Sequence, residues 1–419
     1  MRRVIIMRTR SSIFLASALA LAAALTSGCD PDDTTGTGGA GATGGNGGSG
    51  GDGGSGGSGG SGGTGGEGGS GGVGGTGGTG GEGGSSAEWV VPACESVSGT
   101  GAVTFTLDEG ATLAPTSEQL QGIGYTWGLA ALDTPNTLLA EHKGQVLRSG
   151  DAGCTWTSIG TVSGGIFKLT AAPGGRAYAW SDNGAGFYRI DDDGIHPLST
   201  PAPNIVGVGV DPADGRHLRV GDATGSLHDS TDGGETWAKQ GSVSEQGSIL
   251  GYRFAFDPGN LDHALFGQAV DGSSVTFDGG KTWAPSSGLG DQGANAFSIV
   301  VAPSDGDVVW AEALEMGPDV RHIYRSIDGG ATFDVVVTES AEVDLINGTL
   351  LAPHPTDANL LYFVFGTGFQ AYGTDLFRYD HATGKVTKTH NSYDEVSAIV
   401  ASPADPEVLY LGLTVEDGG

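Results

Sequence analysis

Two glutamates three residues apart, Glu312 and Glu315, are the carboxylates best placed for acid–base work. Cleaving a glycosidic bond takes one protonated carboxyl to assist the leaving oxygen and one ionised carboxylate as nucleophile or base. One loop, read as Glu312 to His322, would have to bring them together. The run Asp191-Asp192-Asp193 has the hard oxygen ligands that Ca²⁺ takes, but it reads as a solvated turn, and no metal site is expected. The histidines are scattered without the spacing of a zinc site. Neither a G-x-S-x-G nucleophile elbow nor a lysine-bearing phosphate loop occurs, so no cofactor is expected. A second long loop, Gly366 to Asp375, carries Phe369 and Tyr372 near acids. Rings for stacking and carboxylates for polar anchoring are the composition of a recognition surface.

The elements that must position these residues are announced by a turn. Ser230-Thr231-Asp232-Gly233-Gly234-Glu235-Thr236-Trp237 has the pattern S-x-D-x-G-x-T-W, with copies at Ser149 to Trp156, Thr276 to Trp283 and Ser326 to Phe333. Asp151, Asp232, Asp278 and Asp328 can accept backbone N–H bonds within their own turns, glycine takes the positive-φ positions, and Trp156, Trp237, Trp283 and Phe333 open the next strand. The copies recur at about 40–50 residues, or twice that where a degraded copy, Tyr188 to Gly194, fills the gap.

A second repeat, turns such as Asp211-Pro212-Ala213-Asp214 and Ser402-Pro403-Ala404-Asp405, follows each innermost strand. Runs such as Val103–Leu107 and Leu361–Phe365 read as strands, and helical periodicity is scarce. The expected fold is all-β, a β-propeller with blades near 122–160, 161–200, 205–241, 246–286, 295–338 and 345–390. A seventh blade is shared by Val103–Leu107 and residues 395–413, and a six-bladed ring with a loose N-terminus is the alternative. Second turns and blade connections share one face, where Glu312, Glu315, Phe369 and Tyr372 would border a binding surface. Arg253 and Trp127 would lie nearer the central channel.

These turns resemble the Asp-box, or BNR, repeat of sialidases, the sortilin ectodomain, some β-glucanases and photosystem II assembly factors, over most of residues 100–419. The resemblance implies a propeller that serves enzymes and binding proteins alike. A sialidase would also need an arginine cluster, a Tyr nucleophile with a Glu partner, and an F/Y-R-I-P motif. Tyr188-Arg189-Ile190 is followed by Asp191, Arg148, Arg325 and Arg378 share one repeated framework position before the turn, and Arg253 stands by itself as the substrate-facing candidate. A binding or assembly module for a glycan or protein ligand is therefore expected, with sialidase-like or glucanase-like glycoside hydrolysis as the alternative.

Arg2, Arg3, Arg8 and Arg10 precede an apolar run, Ile13 to Leu25, too short to cross a bilayer. Residues 1–29 read as a signal peptide ending in Cys29, whose setting resembles a bacterial lipobox, so a lipid anchor on Cys29 and a place at the cell envelope are expected. Residues 30–87 read as a disordered Gly/Ser-rich linker with a reach of about 40 Å, and residues 88–419 as the propeller, a monomer. The net charge of −30 excludes nucleic acid as a partner. With Cys29 assigned to the anchor, Cys94 and Cys154 are an even pair, and in an exported chain they suggest a disulfide.

Overall fold

Short antiparallel strands follow from this sequence because each run of apolar and β-branched residues is cut after a few positions by a turn that the chain hydrogen-bonds for itself. The computed structural model describes residues 88–120, 124–181, 184, 186–244, 250–290, 293–365, 374–391 and 395–414. The proposed signal peptide with Cys29, the whole glycine-rich stretch 30–87, and Phe369 and Tyr372 lie outside the described residues. Among the described residues every regular element is a strand.

Six sheets, spanning residues 128–161, 168–198, 205–242, 251–285, 294–338 and 351–391, each hold four antiparallel strands in chain order. The seventh is built from both ends of the chain: Glu395–Ala401 pairs with Leu409–Thr414, which pairs with Val103–Thr106 in the register Val103↔Gly412 to Thr106↔Leu409. The ring is thus a seven-bladed propeller closed by its shared blade, which has three strands among the described residues where the other blades have four. Its core lies in layers between blades, as where Tyr178, Trp180 and Phe187 of the second blade pack against Ile205, Leu218 and Val220 of the third.

The aspartate turns are one construction repeated. In the first blade Ser149 Oγ donates to Asp151 Oδ1 at 2.8 Å and accepts from Gly153 N at 2.9 Å, while Thr155 donates its amide to Asp151 Oδ1 at 2.9 Å and its hydroxyl to Oδ2 at 2.7 Å. The same bonds recur around Asp232, Asp278 and Asp328. They also recur where sequence reading missed them, around Asp108 in Thr106-Leu107-Asp108-Glu109-Gly110-Ala111-Thr112. The shared blade therefore takes its aspartate turn from the N-terminal part of the chain. The last glycine of the turn has φ near +88° at Gly330, and a Cβ there would lie 2.2 Å from Leu265 of the preceding blade, so glycine is required for both conformation and close approach.

The aromatic that ends each turn is buried at Trp156 and Phe333, 3% and 4% exposed, but half-buried at Trp237 and Trp283. Trp156→Ala is expected to cost about 3–5 kcal/mol. Asp151→Ala should also lower the melting temperature, by leaving the Thr155 amide and the Ser149 hydroxyl without their acceptor. A thermal melt in which both variants match the parent would show that the turns do not hold the ring.

Arginines preceding the turns stitch blade to blade. Arg148 pairs with Asp192 at 2.8 Å, Arg378 with Glu109 at 2.8 Å, and Arg325 donates to Asn359 at 3.3 Å. At the closing seam Tyr410 donates to the Ala152 carbonyl at 3.0 Å and Ser397 to the Thr126 carbonyl at 2.9 Å. Cys94 and Cys154 are joined in a disulfide with their Cα atoms 5.8 Å apart, which ties the segment leading into the shared blade to the first blade's turn.

Candidate functional site

Each innermost strand starts at the face where one blade connects to the next and lines the central channel, a cavity of about 570 Å³. Residues early on these strands form the channel mouth on that face. The innermost strands of the third, fourth, fifth and seventh blades are bulged there, with register shifts at Ile205/Gly207, Gly251/Arg253, Ala296/Ser298 and Val396/Ala398. A bulge inserts one unpaired residue and re-aims its side chain. In the fourth and fifth blades the inserted residues are Tyr252 and Phe297, which line the channel with ring centroids 4.5 Å apart.

Across the mouth, Lys168 begins the second blade's inner strand, and its Nζ lies 5.6 Å from the Trp127 ring and 5.2 Å from the Trp180 ring. Held between two indoles, an ammonium gains cation–π attraction from both. The Trp180 ring is fixed by its Nε1 donating to Thr170 Oγ1 at 3.0 Å, whereas the Trp127 Nε1 is buried without a hydrogen-bond partner among the described residues. Arg253 lines the same channel. The mouth thus presents aromatic surface with two cations on a chain that carries only 19 Lys and Arg against 49 Asp and Glu, an arrangement that can stack against rings or peptide planes and hold a carboxylate.

The glutamate pair is placed otherwise than its sequence suggested. Residues 312–322 are a hairpin, not a long loop: the strand Asp305–Glu315 runs into a turn at 316–319 and returns as Val320–Ser326. Residues three apart on a strand face opposite sides of the sheet, so Glu312 and Glu315 cannot flank one bond as a catalytic pair. Glu312 is fully buried, opposite Ser298 in the register that glycine takes at Gly221, Gly267 and Gly412 in three other blades. Its Oε2 accepts from Gly348 N at 3.0 Å, in the connection that lines the mouth, while Oε1 has no hydrogen-bond partner among the described residues. Burial pushes its carboxyl up to about 8, so it is largely protonated at neutral pH. Glu315 is partly exposed, 3.6 Å from His322.

Sequence reading passed over Glu141, which does the same work between the first and second blades. It is 1% exposed, accepts from Gly144 N at 2.6 Å and Phe167 N at 3.3 Å, and is raised by burial to about 7. Its signal was a carboxylate inside the apolar strand Leu138–His142. Both glutamates brace the connections behind the mouth.

The remaining candidates belong to the framework. Arg189 engages Asp191 at 2.6 Å and Glu235 at 3.1 Å, so the Tyr188-Arg189-Ile190 fragment faces a neighbouring blade. Ligand atoms of Asp191, Asp193 and His196 lie within 4.8 Å of one another. Both Asp191 oxygens, however, are taken by arginine, Oδ1 by Arg176 at 2.5 Å and Oδ2 by Arg189 at 2.6 Å, which occupies the coordination a cation would use.

Fold and mouth together define a seven-bladed β-propeller with an aromatic and cationic channel entrance. The same fold is found in an ancestral GH74 enzyme (TM-score 0.50, 15% identity, 74% of this chain and 45% of that one). It is found again in YCF48 from Cyanidioschyzon merolae (TM-score 0.50, 14% identity, 70% and 97%) and in YCF48 bound to D1 peptide (TM-score 0.50, 12% identity, 72% and 96%). This chain spans less than half the length of the GH74 enzyme, and at these identities the likeness is of fold alone. No protein-family model matches the chain. In sequence, the chain is 51% identical over 339 residues to the dispase autolysis-inducing protein of Streptomyces mobaraensis, covering 78% of this chain and 91% of that protein. The chain belongs to that protein's family.

Proposed function

We propose that this protein is an exported binding propeller, tethered to the cell envelope through Cys29, that engages an extracellular protease at the channel mouth and promotes its autolysis. The observation that carries this is the 51% identity to the dispase autolysis-inducing protein along 91% of its length. The mouth supports it, because Trp127, Tyr252 and Phe297 with Lys168 and Arg253 suit a peptide segment bearing a carboxylate. Glycoside hydrolysis is the weaker reading, since Glu312 is sealed from solvent and Glu315 faces the other side of its sheet.

The test is to incubate the full chain with dispase and follow intact dispase by electrophoresis, beside dispase whose active site has been inactivated. Intact dispase should disappear at least tenfold faster with the propeller, the inactivated protease should survive, and Trp127→Ala/Arg253→Ala should remove most of the acceleration. An unchanged dispase lifetime, or equal loss of the inactivated protease, overturns the proposal. Tethering is checked separately: Cys29→Ala should move the protein from the membrane to the soluble fraction.

A further inference from the structure

A second cavity, about 430 Å³, lies away from the channel between the fourth and fifth blades. It is bordered by the turn after Asn260–Gln268, the connection that follows Ala284–Pro285, and the start of Ala294–Ala302. Its walls are apolar at Val270, Pro285 and Leu289, and Gln268 lines it at 5% exposed with Oε1 buried and without a hydrogen-bond partner among the described residues. A buried carbonyl oxygen without a donor is costly, and a ligand that supplies one recovers that cost.

The other polar groups here also present acceptors. Ser273 Oγ donates to Ser286 Oγ at 2.8 Å, and Ser286 Oγ passes its own proton to the Gly330 carbonyl at 2.6 Å. The Ser286 hydroxyl proton is thus committed to the backbone, and Ser287 Oγ lies 3.5 Å from the Ala331 carbonyl. Asp271 sits exposed at the lining, and no Lys, Arg or His is among the described lining residues. An anion would find no cationic side chain among the described lining residues, and no aromatic platform for a sugar ring is among them either. Apolar walls around an acceptor, with a carboxylate beside it, match a methylene stem that ends in a charged donor.

We propose that this cavity takes the side chain of an arginine or lysine from a protein partner, with Gln268 Oε1 accepting from its N–H, Asp271 pairing with its charge, and Val270, Pro285 and Leu289 flanking its stem. The chain's net charge of −30 draws such a ligand in. The site stands apart from the mouth and does not depend on the partner being a protease.

The test titrates the full chain with acetylated arginine amide and lysine amide by calorimetry, with acetylated norleucine amide as the uncharged stem and methyl glucoside as a neutral polyol. Saturable binding of the cationic amides, weakened at least tenfold by Gln268→Leu and about threefold by Asp271→Asn, is the expected result. Gln268→Glu should tighten it. Asp271 is at the surface, so its variant keeps the fold should Gln268→Leu disturb packing, and a thermal melt of each variant separates lost binding from lost folding. Equal binding of norleucine amide, binding of methyl glucoside at this cavity, no binding of either cationic amide, or an affinity unchanged in well-folded Gln268→Leu and Asp271→Asn would each overturn the proposal.

Discussion

Deleting residues 88–112 should abolish the cooperative thermal transition of the remaining chain, although the deleted segment supplies only one short strand. Without Val103–Thr106, the strand Leu409–Thr414 loses its neighbour from Leu409 to Gly412, and Phe105 and Val103, 3% and 1% exposed, leave the core they share with Tyr410. Buried side chains of this size contribute about 1.5–3 kcal/mol each. Across the seam the backbone bonds Ser98 N to Cys154 O and Trp156 N to Ser98 O, both 2.9 Å, go as well. Cys94→Ser/Cys154→Ser isolates the covalent part: closing a loop with a sequence separation of 60 residues is worth about 4 kcal/mol in the chain-entropy account. Against a total stability of about 5–15 kcal/mol, the double serine variant should still fold with a lowered melting temperature. A truncated chain that melts cooperatively near the parent's temperature would show that six blades hold without the seam.

Stability should also fall as pH rises from about 5 to about 8, and Glu312→Gln should flatten that fall. The Glu312 carboxyl is held at about 8 in the folded chain against an ordinary 4.5, with burial as the main cause, the Gly348 amide and Arg321 opposing it and Glu339 adding to it. The folded state therefore keeps a proton that the unfolded state releases. The contribution is complete below pH 4.5, declines as pH rises above it and is lost by about 8; Glu141, at about 7, completes its own decline earlier. The expected size is on the order of a few kcal/mol between pH 5 and pH 9. At pH 9 Glu312→Gln should melt several degrees above the parent, and at pH 5 close to it.

The turn aspartates act in the opposite direction. Thr236 and Thr282 hold Asp232 and Asp278 down at about 2, so their contribution is present above about pH 4 and is lost as pH falls through about 2. Melting curves across both windows separate the two effects, and parallel slopes for parent and Glu312→Gln between about pH 5 and pH 8 would dismiss the buried carboxyl as the cause.

The repeated turn, its period and the two half-blades at the chain ends were all legible as sequence because they are local. A turn that hydrogen-bonds its own Asp, Ser and Thr needs no distant partner, so its residues recur wherever it does, and counting turns and leftover strands yields the ring and its shared blade. Even the overlooked turn at Asp108 keeps the pattern, with Thr106 for Ser and Leu113 for the aromatic. What the tertiary structure alone decided is where side chains point at the channel end of the strands. A bulge shifts the alternation by one residue, so Tyr252 and Phe297 enter the channel through irregularities that no spacing announces. Glu312 looked like a surface loop acid because the strand carrying it, Asp305–Glu315, outlasts its counterparts and extends into what seemed to be the loop. Its burial, and the unpaired oxygen of Gln268, come from the neighbouring connection and blade packed over them. Those contacts join residues tens of positions apart, and chain order carries no trace of them until the ring has closed.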